Sequence, residues 1–312
     1  MADYGIPYMG SKQSIIHKIA SIFPAADNFY DVFGGGFSVT HFMLLHHAKK
    51  YKHFHYNEIK SDVVDLVKRA INGEFNYDKF LPSWISRETF FELKDQDAYV
   101  RLIWSFGNNQ RDYLFSKEIE PFKRSMHQAV VFNEFDKTAK SYLRIDKFPD
   151  HLTIRGRRLL YRNLIKLNVK GRGDLQRLEQ LERLEQLEQL ERLEQLERLE
   201  QLQQLEQLER LQQLELTSQS YEQLKIKSSS VVYCDPPYIG TADYGLEFNH
   251  NKFWQWVMDQ DEPVFVSEYQ APSFVKTLMA LNKKSLLAST GPTKSVEKVF
   301  GNEAAFNALR LK

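Results

Sequence analysis

The residues best suited to chemistry are Asp235-Pro236-Pro237-Tyr238, delivered by the apolar run Val231-Val232-Tyr233-Cys234. A short β-branched and aromatic run bounded by Ser and Pro reads as a buried parallel strand. Pro236 and Pro237 fix φ and remove two backbone donors, so the turn offers only carbonyl oxygens and the Asp235 carboxylate. An acceptor-only elbow, held stiffly at the carboxyl end of a strand with Tyr238 beside it, suits a substrate that presents an amino group on a flat ring. Asp-Pro and Pro-Pro also mark ordinary turns. The reading therefore depends on what the rest of the chain places around them.

An elbow of this kind needs a sheet to hold it. Asn28 to Phe33 reads as a short strand, followed by the turn Gly34-Gly35-Gly36 and a helix over about Ser38 to His47. Strand, glycine turn and helix form the phosphate- or nucleoside-binding opening of an α/β sheet. Lys52 to Asn57 reads as a second strand ending at Glu58, with a helix over about Ser61 to Ile71. A right-handed β-α-β unit is the natural assembly. Further strands are expected at Leu214 to Thr217, Val231 to Cys234, Val264 to Ser267 and Lys284 to Ala288. The expected class is α/β, a Rossmann-like sheet with helices on both faces, split by an inserted, mainly helical region from about Asn72 to Arg172. Within that insert, the polar loop Trp104 to Tyr113 offers Asn108, Asn109, Gln110 and Arg111 to base edges.

At 312 residues the chain holds one large or two medium domains, and its 22 Phe and 15 Tyr place it among folded globular proteins. A single cysteine, Cys234, excludes a disulfide framework and a cysteine-cluster zinc site, and no metal is expected. With no signal peptide and no long apolar run, the sequence points to a cytoplasmic protein without a membrane partner. The net charge of +1 averages two unlike parts. Leu175 to Glu215 holds 11 Glu against 5 Arg, whereas Lys137 to Gly173 holds 11 Lys or Arg against Asp146 and Asp150, with Tyr142, Phe148 and Tyr161 between them. A basic segment bearing aromatics suits a nucleic-acid backbone, and Arg155, Arg157 and Arg158 are its candidate phosphate contacts.

Leucine occupies every third position from Leu175 to Leu214, 14 in succession, with only Glu, Gln and Arg between. All are strong helix formers. On an α-helix, however, each three-residue step drifts by about 60°, so the leucines circle the axis every 18 residues or so. No straight partner covers such a spiral. The spacing predicts a long helix projecting from the body as an arm, with a 3₁₀-like or solenoid arrangement as the alternative. Nothing in the repeat can do chemistry.

The exocyclic N6 of adenine is one amine of this kind. Its lone pair is delocalised into the ring, and a carboxylate and a carbonyl that accept its two N–H bonds would localise it and stabilise developing positive charge. The base must leave the duplex to be reached. Here the chain resembles the Dam-type DNA adenine-N6 methyltransferase family, which uses S-adenosylmethionine on a class I methyltransferase fold. Tyr8-Met9-Gly10-Ser11-Lys12 is similar to the family's N-terminal cofactor segment, in which an aromatic and a lysine contact the cofactor. Asp31-Val32-Phe33-Gly34-Gly35-Gly36 resembles the acid and glycine loop that cradle the methionine moiety. Glu58 matches the acid for the ribose hydroxyls, Gln219-Ser220-Tyr221 the segment near the cofactor's adenine, and Asp235 to Tyr238 the catalytic tetrapeptide.

The resemblance implies S-adenosylmethionine-binding residues Tyr8, Lys12, Asp31, Phe33, Gly34, Gly35, Gly36, Glu58, Ser220 and Asp235. It implies catalytic residues Asp235, Pro236, Pro237 and Tyr238. Phe37 stands where the family commonly has a small residue, so a reshaped cofactor loop is expected there. The expected organisation is a cofactor-binding half over 1–71, a target-recognition region over 72–173, the repeat arm over 174–213 and the second catalytic half over 214–312. The implied partner is double-stranded DNA, met by a monomer or weak dimer in a bacterial or phage-infected cell, alone or beside a restriction enzyme. Two alternatives stand beside this: methylation of another amine, such as an RNA base or a protein amide, or a catalytically silent DNA-binding relative. Relatives acting on other amines more often carry Asn at the position of Asp235.

Overall fold

The computed structural model describes residues 4–170, 192–208, 211–238, 248–284 and 294–310. The chain divides into two units, one made of Met1–Asn72 with Gln204–Lys312 and the other of Gly73–Gln203. Among the described residues no helix is long and apolar enough to cross a membrane.

The first unit runs α1 (Ile16–Ile22), β1 (Asn28–Asp31), α2 (Ser38–His47), β2 (His53–Asn57) and α3 (Ser61–Ile71) before the insert. After it come β3 (Leu214–Thr217), β4 (Ser230–Cys234), a helix over His250–Met258, β5 (Val264–Glu268), β6 (Lys276–Lys284), β7 (Lys294–Gly301) and a last helix over Glu303–Arg310. The seven strands form one sheet in the order β3-β2-β1-β4-β5-β7-β6. Pairing is parallel from β3 across to β5, whereas β7 lies antiparallel between β5 and β6. This is the mixed α/β sheet of a class I methyltransferase fold.

Local sequence explains these elements. In α3, Val63, Val64, Leu66, Val67 and Ala70 form one buried face, while Asp62 in the first turn and Lys68 and Arg69 in the last complement the helix dipole. The central strands β1, β4 and β5 are buried throughout, as parallel strands covered on both faces must be. One strand differs from expectation. The sheet uses Lys276–Lys284 and Lys294–Gly301, whereas the expected Lys284 to Ala288 strand shares only Lys284 with β6, and 285–288 lie outside the described residues.

Strand register positions the site. Asp31 pairs with Tyr56 on one side and Tyr233 on the other, and Asn57 pairs with Thr217. The chain therefore leaves β1, β2, β3 and β4 at one edge, carrying Asp31, Glu58, Ser220 and Asp235. Strand order reverses at β1, and ligands of open α/β sheets bind at the carboxyl edge beside such a reversal.

The second unit is helical: α4 (Arg87–Leu93), α5 (Ala98–Ile103), α6 (Glu120–Phe132), α7 (Lys137–Leu143), α8 (Ile154–Lys170) and α9 (Glu194–Gln204). Its core gathers Met126, Val130, Leu143, Phe148, Tyr161 and Ile165 around Leu193 and Leu196. The expectation of a projecting arm over 174–213 is corrected here, over the part of the repeat that the structure describes. Leu193, Leu196, Leu199 and Leu202 are all buried. The 60° drift that argued against a partner matters only over a full circuit. Three leucines of one short helix span about 120°, which one wide buried face accommodates. Beyond α9 the chain tightens into a 3₁₀ turn at Leu205–Gln207, whose three residues per turn keep Leu205 and Leu208 in phase, and both are buried. The repeat is thus shared between the two units, and its segment over 171–191 lies outside the described residues.

The residues between the leucines are also engaged. Arg198 Nη1 donates to the carbonyls of Ile103 at 2.9 Å and Ser105 at 2.6 Å, and Gln203 Nε2 donates to Phe75 O at 2.7 Å. Lys123 is buried and pairs with Glu194 at 3.6 Å.

Candidate active site

The site is a cavity of about 860 Å³ in the first unit, lined by both the glycine turn and the Asp-Pro-Pro-Tyr elbow. Tyr8, Lys12, Phe33, Gly34, Gly35, Gly36, Glu58, Ser220, Asp235, Pro236, Pro237 and Tyr238 all line it. Segments more than 200 positions apart in the sequence thus meet on one surface.

The glycine turn is shaped by close packing. A Cβ on Gly34 would fall 2.2 Å from the Tyr56 ring, and one on Gly36 would fall 2.5 Å from Tyr8 Cβ. Tyr56 donates its hydroxyl to Gly35 O at 2.7 Å, and Glu58 Oε2 accepts from Gly35 N at 3.0 Å. The other Glu58 oxygen accepts from Lys60 N at 3.1 Å. Phe37 takes the left-handed region at φ 64°, yet its ring is fully buried against Tyr56 and is not part of the cavity wall. The Phe37 side chain turns into the core.

Asp31 differs from the other expected contacts in lying behind the cavity wall. One oxygen caps α2, accepting from Thr40 Oγ1 at 2.8 Å and Thr40 N at 3.2 Å, while Oδ1 is buried with no hydrogen-bond partner. Burial, reinforced by the charges of Asp235 and Glu58, pushes its carboxyl up to about 7.

At the elbow, Asp235 Oδ2 lies 2.6 Å from Lys12 Nζ, and Asp235 Oδ1 is buried without a hydrogen-bond partner. Burial raises the Asp235 carboxyl above its ordinary value, against the opposing charge of Lys12. The Tyr238 ring lies under Lys12, 4.9 Å from its Nζ, and meets Tyr269 edge-on. The arrangement offers one unsatisfied carboxylate oxygen beside an aromatic face, which is what an amine on a flat ring requires.

Carboxylates outnumber cations here. Glu58, Glu222, Asp235 and Glu297 line the cavity with Lys12, Lys60 and Lys252, Asp31 adds a further carboxyl behind the wall, and Lys12 stands between Asp235 and Glu297. That excess suits a ligand carrying positive charge, and S-adenosylmethionine brings a sulfonium and an ammonium. Among the described residues no group of three or more His, Cys, Asp or Glu is placed to hold a metal.

Two contributors escaped the sequence reading. Asn57 donates to Val32 O at 3.0 Å and Gln219 O at 2.9 Å and accepts from Thr217 Oγ1 at 2.9 Å, tying three strand ends together. Its place at the end of a strand was a usable signal. Glu297 is buried on β7, where it accepts the Tyr238 hydroxyl at 2.7 Å and lies 3.5 Å from Lys12 Nζ. No sequence signal marked it, because its exposed neighbour Val296 inverts the usual apolar-in pattern.

The expected DNA contacts belong to the second unit. Arg111 is exposed, and Asn108 takes φ 60°. Asn109 is committed locally: its Oδ1 accepts from Arg111 N and Asp112 N, and its Nδ2 donates to Asp112 at 2.7 Å. Gln110 accepts from Arg101 at 3.3 Å. Arg155 donates to Gln203 at 2.7 Å and Arg157 to Val131 O at 2.8 Å. Arg158 donates to Glu197 at 3.3 Å and Glu200 at 2.5 Å.

Comparison with curated proteins finds no match. A family model, D12 class N6 adenine-specific DNA methyltransferase, matches residues 8–256 and so takes in the N-terminal segment, the glycine turn, the insert and the elbow. With most of its length matched, the chain belongs to the D12 class of N6 adenine-specific DNA methyltransferases.

Proposed function

We propose that this enzyme transfers a methyl group from S-adenosylmethionine to the N6 of an adenine flipped out of double-stranded DNA, with Asp235 to Tyr238 as the catalytic elbow. The observation that carries the reading is Asp235, which lines the same cavity as the glycine turn and whose buried Oδ1 has no hydrogen-bond partner. When bound, the cofactor supplies an electrophilic methyl group.

The protein's part is to orient and to polarise. Asp235 Oδ1 accepts one N6–H bond and the Pro236 carbonyl the other, which returns lone-pair density to N6. Tyr238 stacks on the base face. As the N–C bond forms, N6 becomes positive and gives up one proton. The raised proton affinity of Asp235 suits its carboxylate to hold that proton. Glu58 is assigned to the ribose hydroxyls, Phe33 and Ser220 to the cofactor's adenine, and Tyr8 to the methionine end. Asp31 acts from behind the turn, by the field of its buried charge.

In the second unit, the exposed Arg111 is assigned to base edges ahead of Asn109, whose amide is already used, and of Asn108, whose Oδ1 is buried. Arg158 is assigned to holding α9 rather than to phosphate.

Methyl transfer from labelled S-adenosylmethionine to unmodified plasmid, with mapping of N6-methyladenine, tests the reading. Asp235→Ala is expected to lower turnover by about 10³-fold or more while cofactor binding persists. Near-normal turnover in that variant would remove Asp235 from the chemistry.

A further inference from the structure

Glu297 lies outside the matched residues 8–256 and is 1% exposed. Burying a carboxylate is costly unless it is paired or does work. Its position follows from the antiparallel β7: Lys298 pairs with Glu268, the last residue of β5, so Glu297 sits one residue beyond it, at the edge where the elbow leaves the sheet.

Resting on the proposed site, we propose that Glu297 is a positioning residue for methyl transfer: it anchors the Tyr238 hydroxyl and shares Lys12 with Asp235, freeing Asp235 for the substrate amine. Two geometric facts lead here. Tyr238 donates to Glu297 at 2.7 Å, a charge-assisted bond that fixes the rotation of the ring on which the base would stack. Lys12 Nζ lies 2.6 Å from Asp235 and 3.5 Å from Glu297, so one ammonium stands between two carboxylates.

A lysine paired only with Asp235 would neutralise it and oppose positive charge on N6. With Glu297 present, the group of two carboxylates and one ammonium carries a net negative charge, which the developing N6 cation offsets. In a buried site that difference is large. When the amine arrives at Asp235, the ammonium has a second seat at Glu297.

The groups facing Asp235 are Lys12, Glu297, Tyr238, Asp31, Tyr233 and Cys234. Of these, the Glu297 charge raises the Asp235 carboxyl and Lys12 lowers it. Removing the Glu297 charge therefore lowers it and moves the acidic limb of the pH–rate profile to lower pH.

Glu297→Gln keeps an acceptor for Tyr238 and removes the charge. The expected result is kcat lowered about tenfold or more, a smaller loss of S-adenosylmethionine affinity, and the acidic limb shifted to lower pH. Tyr238→Phe removes the hydroxyl that Glu297 accepts and that also lowers the Asp235 carboxyl, so it should raise KM for DNA and move the acidic limb the opposite way, to higher pH. A Glu297→Gln enzyme with normal kcat and an unshifted limb overturns the inference. If that variant does not fold, Tyr238→Phe with an unchanged KM does the same. Asp235→Ala separates the two levels: an active Asp235→Ala enzyme removes the site reading, whereas an inactive one beside an unaffected Glu297→Gln enzyme removes only the role of Glu297.

Discussion

Charge is concentrated in two regions of this molecule, and the two are built in opposite ways. At the cavity, Lys12 stands between Asp235 and Glu297, Glu58 shares the lining and Asp31 lies behind the wall, and one oxygen each of Asp31 and Asp235 has no hydrogen-bond partner. In the second unit, Arg158 on α8 pairs with Glu197 and Glu200 on α9, and Arg155 with Gln203. Excess charge of one sign, held with acceptors to spare, costs stability and marks a place awaiting a ligand. Charge that is matched across two helices marks architecture instead. Density of Lys and Arg in a sequence does not distinguish these cases; partners do.

The comparison can be broken most severely at α9. If its leucines are core, Leu199→Ala should destabilise the protein by about 2–5 kcal/mol in urea unfolding. A change within the error of the measurement would restore the projecting arm. Arg158→Ala tests the matched charges. It leaves Glu197 and Glu200 without their partner at a site less than a quarter exposed, and should cost about 2 kcal/mol. The salt dependence of DNA binding should stay as it was. A slope reduced by about one, with stability intact, would instead make Arg158 a phosphate contact.

Asp31 gives the smallest and most specific effect, because one group drives two opposite trends. Its folded carboxyl is raised to about 7, so the folded state binds the proton more tightly than the unfolded one. Stability of the ligand-free protein from this group is therefore full at acid pH and is lost as pH rises toward and through 7. Cofactor affinity should run the other way, weakening as pH falls below about 7 and Asp31 loses its charge. Asp31→Asn should flatten both. Titration of S-adenosylmethionine by calorimetry and thermal melting across that range reads the pair, and parallel rather than opposed trends would sink the assignment.

Local pattern carried the sequence reading a long way in the first unit. The helices Ser38–His47 and Ser61–Ile71 stand at the expected bounds, because a glycine turn and an amphipathic face each fix a helix over a few residues. The strands Leu214–Thr217, Ser230–Cys234 and Val264–Glu268 lie within one residue of the expected bounds, and turn and elbow share one cavity. The rest depends on contacts that sequence spacing does not encode. Glu297 faces inward while Val296 faces out, so hydrophobic alternation points the wrong way on β7. Arg155 and Arg158 of α8 find partners on α9, beyond a long stretch of near-identical triplets, and Arg157 finds one at Val131 O on α6. The repeat itself misled by its length: a spiral that no partner can follow over 14 leucines is no obstacle over three.

Gln203 holds a further consequence. The repeat is nearly periodic in six residues, so a chain slipped by one hexad would seat Leu190, Leu193 and Leu196 where Leu196, Leu199 and Leu202 now pack. Arg192 would replace Arg198 and Gln189 would replace Gln195, each with an identical side chain. At the position of Gln203, however, the slipped chain would bring Glu197. A carboxylate has no N–H to give to Phe75 O, and it would turn like dipoles toward each other where the amide now donates. The leucines supply the cohesion of this seam but are blind to its phase. Gln203, with Gln204 beside it where the slipped chain would bring Arg198, marks which turn of a self-similar screw belongs against Phe75.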